Sequence, residues 1–242
     1  MLWRLKRLLR PVRPVLLPIW QRIRPFVEPT QRRPSIGAPP SVVAVGPKLA
    51  HVTPERPIRP IVKREFDAMA QAFPYYKGRW GYVSVACQQA GELIDTYGLR
   101  SALELGPHLR SVIVGADVMD RRTPPELEVE GRVIVHDATE TPWPIGDKRY
   151  DLFVALQVFE HLKDKQNAAF AEVRRVARHA IISLPIDWVM DDPTNCHHRI
   201  SHERALEWFH PAVPTRVAHD TTGHRKRLIY VFENLEAPTP NA

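Results

Sequence analysis

The stretch that decides the fold is Ser101–Asp120, SALELGPHLRSVIVGADVMD. It opens with a short apolar run, Ala102–Leu105, that ends at Gly106, and such a run bounded by a turn residue predicts a buried strand. A second apolar segment then ends in an acid, Asp120. A strand, a loop with glycine and a second strand that ends in an acid are typical of nucleotide-binding sheets.

Apolar runs and helical segments alternate on the C-terminal side of this stretch, and two helical segments precede it. In the segment 82–98, an apolar stripe at helical spacing stops at Gly98, the usual residue after a helix. The predicted helices cover 63–73, 82–98, 167–178 and 202–209. The further predicted strands cover Arg132–His136, Asp151–Leu156, 179–185, 214–220 and 227–235.

The order of these elements predicts the α/β class. Continuously apolar strands that alternate with helices indicate a mostly parallel sheet with helices on both faces. The last two strands are joined by TTGHRK, which is too short for a parallel crossover, so the last strand is expected to be antiparallel. We assign this domain to residues 61–235 and a short tail to 236–242.

Residues 1–60 form a basic, proline-rich leader and linker that we expect to be poorly ordered. They contain 12 of the 24 prolines, and proline breaks helices. The opening MLWRLKRLLR places leucines at helical spacing among basic residues, which is typical of segments that lie on anionic membranes. Three alternatives stay open: an unstructured basic tail, membrane-surface contact through residues 1–20, and a targeting peptide.

The distribution of charge limits the possible partners. Residues 1–34 carry a net charge of +8, so the other 208 residues carry −1 of the total of +7. A nearly neutral body argues against nucleic-acid binding, which requires a basic face. Two cysteines without a C-x-x-C pair fit a reducing cytoplasm, and no apolar run reaches the length of a membrane span. We expect a cytoplasmic protein, peripheral at a membrane if the leader binds lipid.

Ligands of open parallel sheets bind beyond the carboxyl ends of the strands. The residues that follow the predicted strands are therefore the candidates for a site, and most of them are polar. They are Gly106, Pro107, His108, Asp117 or Asp120, Asp137, Ala138, Gln157, Glu160, His161, Pro185 and Asp187. Acidic and polar groups around one crevice suit a ligand with hydroxyl and amino groups.

Three segments together resemble the class I S-adenosylmethionine-dependent methyltransferases. They are ALELG, VIVHDATETPWPIGDKRYDLFVALQVFEHL and AEVRRVARHAIISLP, and the similarity covers roughly residues 100–190, more loosely to 235. The resemblance implies a Rossmann-like sheet of seven strands with the seventh antiparallel. It also implies S-adenosylmethionine as the cofactor and direct transfer of its methyl group to an acceptor.

The resemblance further implies cofactor-binding roles for eight residues at the strand ends. Asp120 would accept hydrogen bonds from both ribose hydroxyls, Asp137 would face the adenine amino group, and Leu156 and Gln157 would border the methionine moiety. The full set is Glu104, Gly106, His108, Asp120, Asp137, Ala138, Leu156 and Gln157.

The first loop departs from the family pattern in two ways. His108 stands where the family has a glycine, whose lack of a side chain lets backbone approach the ligand. Gly106 and Asp120 are only 14 positions apart, whereas about 20 residues are usual between motif and acid. Either the intervening helix is reduced to a turn, or SVIVGAD is itself a strand and Asp117 is the acid. Family members with a similar short loop favour Asp120.

These departures keep a second class of function open. A non-catalytic binding or scaffold protein could retain the fold with a degenerate cofactor loop. A nicotinamide-dependent oxidoreductase is disfavoured, because residues 106–111 lack the G-x-G-x-x-G loop.

His161 is the candidate catalytic residue, as a base for an acceptor that loses a proton on attack. His198 and His202 are the second candidates. The segment CHHRISH also brings Cys196 and His197 near these histidines, but adjacent histidines rarely share one metal ion and no second cluster supplies further ligands, so we predict no metal site. The acceptor stays open between a small molecule, a lipid and a sugar.

Overall fold

The computed structural model describes residues 57–220 and 225–236. The predictions for residues 1–56, and for the tail beyond Glu236, lie outside the described residues. The described helices are α1 (Lys63–Ala72), α2 (Trp80–Tyr97), α3 (Gln166–Val176) and α4 (His202–Phe209). The described strands are β1 (Arg59–Pro60), β2 (Ala102–Leu105), β3 (Ile113–Val114), β4 (Asp117–Asp120), β5 (Val133–Val135), β6 (Tyr150–Leu156), β7 (Ala177–Pro185), β8 (Arg216–His219) and β9 (Arg227–Phe232).

Seven of these strands form one sheet in the order β5-β4-β2-β6-β7-β9-β8. Five strands are parallel to one another: β5, β4, β2, β6 and β7. The strand β9 is antiparallel to both of its neighbours, β7 and β8. The Rossmann-like α/β fold with an antiparallel last strand is thus confirmed. Both faces of the sheet are covered, as its apolar strands require.

Strand β6 shows how the two faces are filled. Successive residues of a strand point to opposite sides: Phe153 and Ala155 pack into the cluster that contains α3 and α4, whereas Leu152 and Val154 pack into the cluster that contains α1 and α2. Helix α2 ends where predicted, because Gly98 adopts the left-handed conformation at φ 64°.

The connection from β2 to β4 differs from an ordinary crossover. No α-helix lies between these two parallel strands; instead β3 pairs antiparallel with β1 in a separate two-stranded sheet. The connection is thus reduced to a turn at 108–109 and the short strand β3; the segment SVIVGAD is not one strand, and the second strand of the main sheet, β4, ends at Asp120. The residues Phe159–His161, which follow β6, form a single 3-10 turn.

Candidate functional site

The carboxyl ends of β2, β4 and β5 lie side by side. The Gly106 amide donates to the Met119 carbonyl oxygen at 2.9 Å, and the His136 amide donates to the Asp120 carbonyl oxygen at 2.9 Å. Asp120 is in register with Val135, two residues before Asp137. Because strand side chains alternate between faces, this register puts Asp120 and Asp137 on the same face if the alternation continues past β5.

The structure separates the two candidate acids of β4. Asp117 lies at the amino end of the strand, where its carboxylate accepts hydrogen bonds from the backbone amide and guanidinium of Arg132 and from the Tyr150 hydroxyl. Asp120 lies at the carboxyl end, and among the described residues it accepts only from the Arg122 amide, at 3.2 Å. Asp120 thus has an oxygen available for a ligand, whereas Asp117 is used in holding the sheet edge.

Asp137 and Ala138 follow β5 at the same edge. One carboxylate oxygen of Asp137 accepts from the Thr139 amide at 2.9 Å and from its hydroxyl at 2.8 Å, and these bonds lower the pKa of Asp137. The other oxygen has no donor among the described residues. Ala138 is buried, and its carbonyl oxygen accepts from the Trp143 indole at 3.2 Å.

Gly106 takes a conformation that only glycine adopts readily. Its φ is +61°, and a Cβ at this position would lie 3.1 Å from Cγ2 of Val158, the second residue after β6. The first loop therefore runs close against the end of β6, as a loop that brings backbone to a ligand requires. His108 is also left-handed, at φ 69°. Its ring lies on the Tyr75 ring with centroids 3.9 Å apart, so the side chain has an aromatic contact of its own.

The buried side chain of Glu104, in β2, stabilises the loop that follows this strand through hydrogen bonds. Its carboxylate is 2% exposed and accepts from the Ser111 hydroxyl and, at 2.8 Å, from the Val112 amide. Burial raises the pKa of Glu104 to about 7, although both hydrogen bonds act in the opposite direction. Glu104 was predicted as a cofactor-binding residue. Its carboxylate is engaged inside the loop, so any effect on a cofactor passes through the loop.

Tyr76 is a support that the sequence did not reveal. Its buried hydroxyl accepts from the amides of Leu109 and Arg110 at 3.0 and 2.9 Å and donates to the Pro107 carbonyl at 3.2 Å. One phenol thus fixes three consecutive peptide groups around His108. The only sequence signal is an aromatic pair before α2, which is equally typical of core packing.

The strand β6 ends at Leu156, as predicted, and Gln157 follows it directly. Gln157 is left-handed at φ 59°, a strained conformation for this residue type. Its amide nitrogen donates to the Ser183 hydroxyl at 3.2 Å, and its amide oxygen accepts from the Arg227 guanidinium at 3.3 Å. Ser183 of β7 and Arg227 of β9 therefore hold the Gln157 side chain at the carboxyl edge of the sheet. Leu156 is partly buried.

His161 lies just beyond this point and meets the loop between β7 and α4. Its Nδ1 is 3.3 Å from the Cys196 sulfur, and its ring is edge-on to His197 with centroids 4.9 Å apart. Although His161 is exposed as a residue, partial desolvation of its imidazole ring lowers its pKa, and the charge of Arg121 adds to this. The pKa of His197 falls to about 4, chiefly through burial. Both imidazoles are therefore neutral at pH 7.

The two alternative histidines are engaged elsewhere. His198 Nδ1 lies 3.1 Å from both the amide nitrogen and the carbonyl oxygen of Met190. His202 stacks on Tyr230 and contacts its hydroxyl at 3.0 Å. Neither takes part in the cluster of His161, Cys196 and His197.

Glu160 is the most unusual group at this edge. Its side chain is fully buried, and neither carboxylate oxygen has a hydrogen-bond partner among the described residues. Burial raises its pKa to about 8. The nearest basic nitrogen is His197 Nε2, at 3.7 Å from Oε1.

An aromatic and cationic wall completes the site. Trp188 is partly exposed and stacks on His197, with centroids 5.8 Å apart. The guanidinium groups of Arg225 and Arg227 lie 4.8 and 4.7 Å from the Trp188 ring centre. Trp188 is at the site, whereas Trp143 and Trp208 are buried in the core.

The residues of this edge fit an adenosine-containing cofactor. Asp120 and Asp137 each present an acceptor oxygen without a donor among the described residues, and Gly106 shapes a loop that a Cβ would distort. Such acceptors match the hydroxyl and amino groups of an adenosine. A shallow groove on α3 and α4 contains none of the predicted site residues: it is lined by Asn167, Glu203, Leu206, Glu207 and His210.

Residues 104–180 match the family model described as "Methyltransferase domain". This segment includes the first loop, Asp120, Asp137, Gln157 and His161. About a third of the chain is therefore a methyltransferase domain, and the match bears out the predicted resemblance to S-adenosylmethionine-dependent methyltransferases, the predicted enzyme class and the predicted cofactor. Among the described residues, no helix combines the length and the apolar character needed to cross a bilayer.

Solved structures similar to the chain include two of the N-methyltransferase NodS from Bradyrhizobium japonicum WM9. One is 13% identical, covers 64% of this chain and 97% of NodS, and has a TM-score of 0.46. The other, in complex with S-adenosyl-L-homocysteine, is 14% identical, covers 72% and 98%, and has a TM-score of 0.46. A SAM-dependent methyltransferase from Aquifex aeolicus is 13% identical over 58% of this chain and 88% of that chain, with a TM-score of 0.41. No curated protein matches the chain significantly.

Proposed function

We propose that the chain methylates a small polar acceptor, either a free small molecule or the polar part of a lipid or sugar, bound beside the end of β6. The observation that carries this proposal is the partly open group of His161, His197 and Trp188, which Arg227 connects to Gln157 by contacting both Trp188 and Gln157. These side chains offer hydrogen-bonding nitrogens and one aromatic face, which suits a compact ligand with hydroxyl or amino groups.

The cofactor is proposed to be held by the strand ends. Asp120 accepts from the ribose hydroxyls, Asp137 and the Ala138 backbone contact the adenine, and Gly106, His108, Leu156 and Gln157 border the amino-acid end. Glu104 and Tyr76 keep the loop in place. When bound, S-adenosylmethionine supplies an electrophilic methyl carbon on a sulfonium sulfur.

The chain's own contribution is alignment and proton acceptance. Gln157 is held by Ser183 and Arg227, so it gives the acceptor side a fixed polar edge. His161 is neutral at pH 7 and can accept the proton that an acceptor hydroxyl or ammonium loses. Its exposure gives that proton a route to solvent.

The basic leader is proposed to bring the enzyme to an anionic membrane surface. The support is the charge of +8 on residues 1–34 against −1 on the remainder. Sedimentation with vesicles of anionic lipid is expected to remove the chain from solution, and 0.5 M salt is expected to release it. Equal binding to zwitterionic vesicles would contradict an electrostatic contact.

The acceptor is identified by transfer of a labelled methyl group. The purified chain is incubated with methyl-labelled S-adenosylmethionine and separate fractions of polar small molecules, lipids and sugars, with the Asp120→Ala variant as the matched control. Label is expected in one fraction, with little or none for the variant. Labelling of nucleic acid or protein instead would overturn the acceptor class. Absence of S-adenosylhomocysteine binding to the wild type would favour the scaffold alternative.

A further inference from the structure

We propose that His161, Cys196 and His197 form a binding site for a thiophilic divalent metal ion such as Zn²⁺. One ligand atom from each of the three lies within 4.8 Å of the other two. The three come from two segments, the 3-10 turn after β6 and the loop between β7 and α4. The fold thus brings together a set that the C-x-x-C and paired-histidine spacings of the sequence do not reveal.

The distances around the sulfur match metal coordination. Cys196 Sγ lies 3.3 Å from His161 Nδ1 and 3.5 Å from His197 Nδ1. A tetrahedral zinc ion with a sulfur at about 2.3 Å and nitrogens at about 2.05 Å separates sulfur from nitrogen by about 3.5 Å. The two sulfur–nitrogen distances are therefore already close to those of a loaded site.

Glu160 provides the independent support. A histidine that binds a metal through one ring nitrogen usually directs the other toward a carboxylate. With His197 Nδ1 on the metal side, its Nε2 is 3.7 Å from Oε1 of Glu160, whose carboxylate is fully buried and unpartnered among the described residues. Metal on Nδ1 fixes the proton on Nε2, which faces Oε1 of Glu160 and can donate to it after the two groups approach from 3.7 Å to hydrogen-bond distance. A loaded site thus offers a donor to an otherwise unsatisfied group.

The charges of the cluster also suit a divalent ion. The cysteine binds as a thiolate after its proton has passed to solvent, and its negative charge offsets part of the charge of the ion. Arg225 and Arg227, stacked on Trp188 next to His197, act against this balance. The Asn195 side-chain oxygen, 2.8 Å from His197 Nδ1, has to move aside when the metal binds.

Three protein ligands leave a fourth position open, which is usual for catalytic rather than structural zinc. His161 and Cys196 are exposed, so this position is reached from solvent. An acceptor hydroxyl or amine bound there would lose its proton more readily, and His161, as a ligand of the ion, would then position the acceptor and not serve as its base. This last step rests on the proposed methyl-acceptor site, whereas metal binding itself does not.

The test uses Co²⁺ as a spectroscopic probe on the full chain, without cofactor or acceptor. One equivalent of Co²⁺ is expected to give a thiolate-to-metal charge-transfer band in the near ultraviolet and visible bands typical of a tetrahedral ion. Zn²⁺ should displace both. Cys196→Ser is expected to abolish the charge-transfer band, and His161→Ala and His197→Ala to weaken binding by at least about 100-fold. Glu160→Gln should weaken it by roughly 10- to 100-fold.

Two matched variants control for other sulfur and histidine ligands. Cys87→Ser removes the buried second cysteine, and His198→Gln removes the histidine next to the cluster; both are expected to leave the spectrum unchanged. The proposal is overturned if wild type shows no charge-transfer band, or if Cys196→Ser retains it. Methyl transfer with normal rates after chelation would remove only the role in acceptor binding.

Discussion

Two aspartates three residues apart on β4 have different environments, and this difference can be measured. Asp117 is held by Arg132 and Tyr150 at the amino end of the strand, while Asp120 has an unpartnered oxygen, among the described residues, at the carboxyl end. Strand position alone therefore separates a structural acid from a candidate ligand.

We expect Asp120→Ala to raise the dissociation constant of S-adenosylhomocysteine by about 10- to 100-fold, because one to two hydrogen bonds to the ribose are lost. The free energy of unfolding should change little. Asp117→Ala should do the reverse, lowering stability by about 1–3 kcal/mol through the unpaired Arg132. Isothermal titration and urea denaturation of both variants check this; equal loss of binding in both would contradict the assignment.

Glu104 should make stability depend on pH. Its pKa in the folded chain is about 7, above its ordinary value of 4.5, because it is buried. Its protonated form is thus favoured by folding, so its contribution is complete below about pH 4.5 and is lost as the pH rises through 7. Relative to Glu104→Gln, the wild type should lose about 2 kcal/mol of unfolding free energy between pH 5 and 8.

Urea denaturation at several pH values measures this difference. Subtracting the Glu104→Gln curve removes the contributions of other titrating groups that the substitution leaves unchanged. Parallel curves for the two proteins across this range would show that Glu104 is ionised in the folded state.

At the scale of elements, the connection from β2 to β4 holds its shape through side chains that a helix would not need. Its peptide groups lack the internal hydrogen bonds of a helix, and buried backbone groups need partners. The carboxylate of Glu104, in β2, accepts a hydrogen bond from one backbone amide of the connection. The hydroxyl of Tyr76, in the turn before α2, makes hydrogen bonds with three further backbone groups.

We expect Tyr76→Phe to lower the unfolding free energy by about 1–3 kcal/mol, because two backbone amides lose their acceptor. Cofactor affinity should fall as well, since the loop around His108 loosens. Tyr75→Phe is the matched control: it removes the same atom from the neighbouring residue, whose hydroxyl has no hydrogen bond among the described residues. Urea denaturation and titration of both variants check this, and equal effects would contradict the role of Tyr76.

The long, periodic elements could be predicted from the sequence, whereas short ones could not. Helix α2 follows from its apolar stripe and Gly98, and β6 from a continuous apolar run. β1 and β3 contain two residues each, too few for any periodicity, so their pairing is a tertiary effect. The strand-end rule predicted Asp120, Asp137 and Gln157, and the structure has each of them at or just after the carboxyl end of a parallel strand; their roles in cofactor binding stay predictions.

Contacts at the site between residues that are far apart in the sequence could not be predicted, for a physical reason. Arg227 contacts Gln157 across 70 positions, and Cys196 meets His161 across 35. Such contacts depend on which strands become neighbours, and a single sequence does not give that order. Glu160 is predicted only as one of many polar residues after strands, because burial without a partner leaves no pattern in the sequence.

At the scale of the whole molecule, a ligand that binds only the folded state should raise the free energy of unfolding of the protein. At 100 times its dissociation constant, S-adenosylhomocysteine is expected to add about 2.7 kcal/mol, which raises the thermal midpoint by about 5–10 °C for a domain of this size. Differential scanning fluorimetry measures the shift. Asp120→Ala should remove most of it at the same concentration, and methionine alone should give none.

The position of β9 also sets an order for building the sheet. Among the described residues, β8 pairs only with β9, and β9 in turn lies against β7. A ribosome releases β8 before β9, so β8 has no neighbour until residue 232 has emerged. Until then β7 presents a bare edge to other nascent chains, and edges of this kind favour aggregation. A chain stalled between residues 219 and 227 should therefore depend on chaperones more than one stalled after 232.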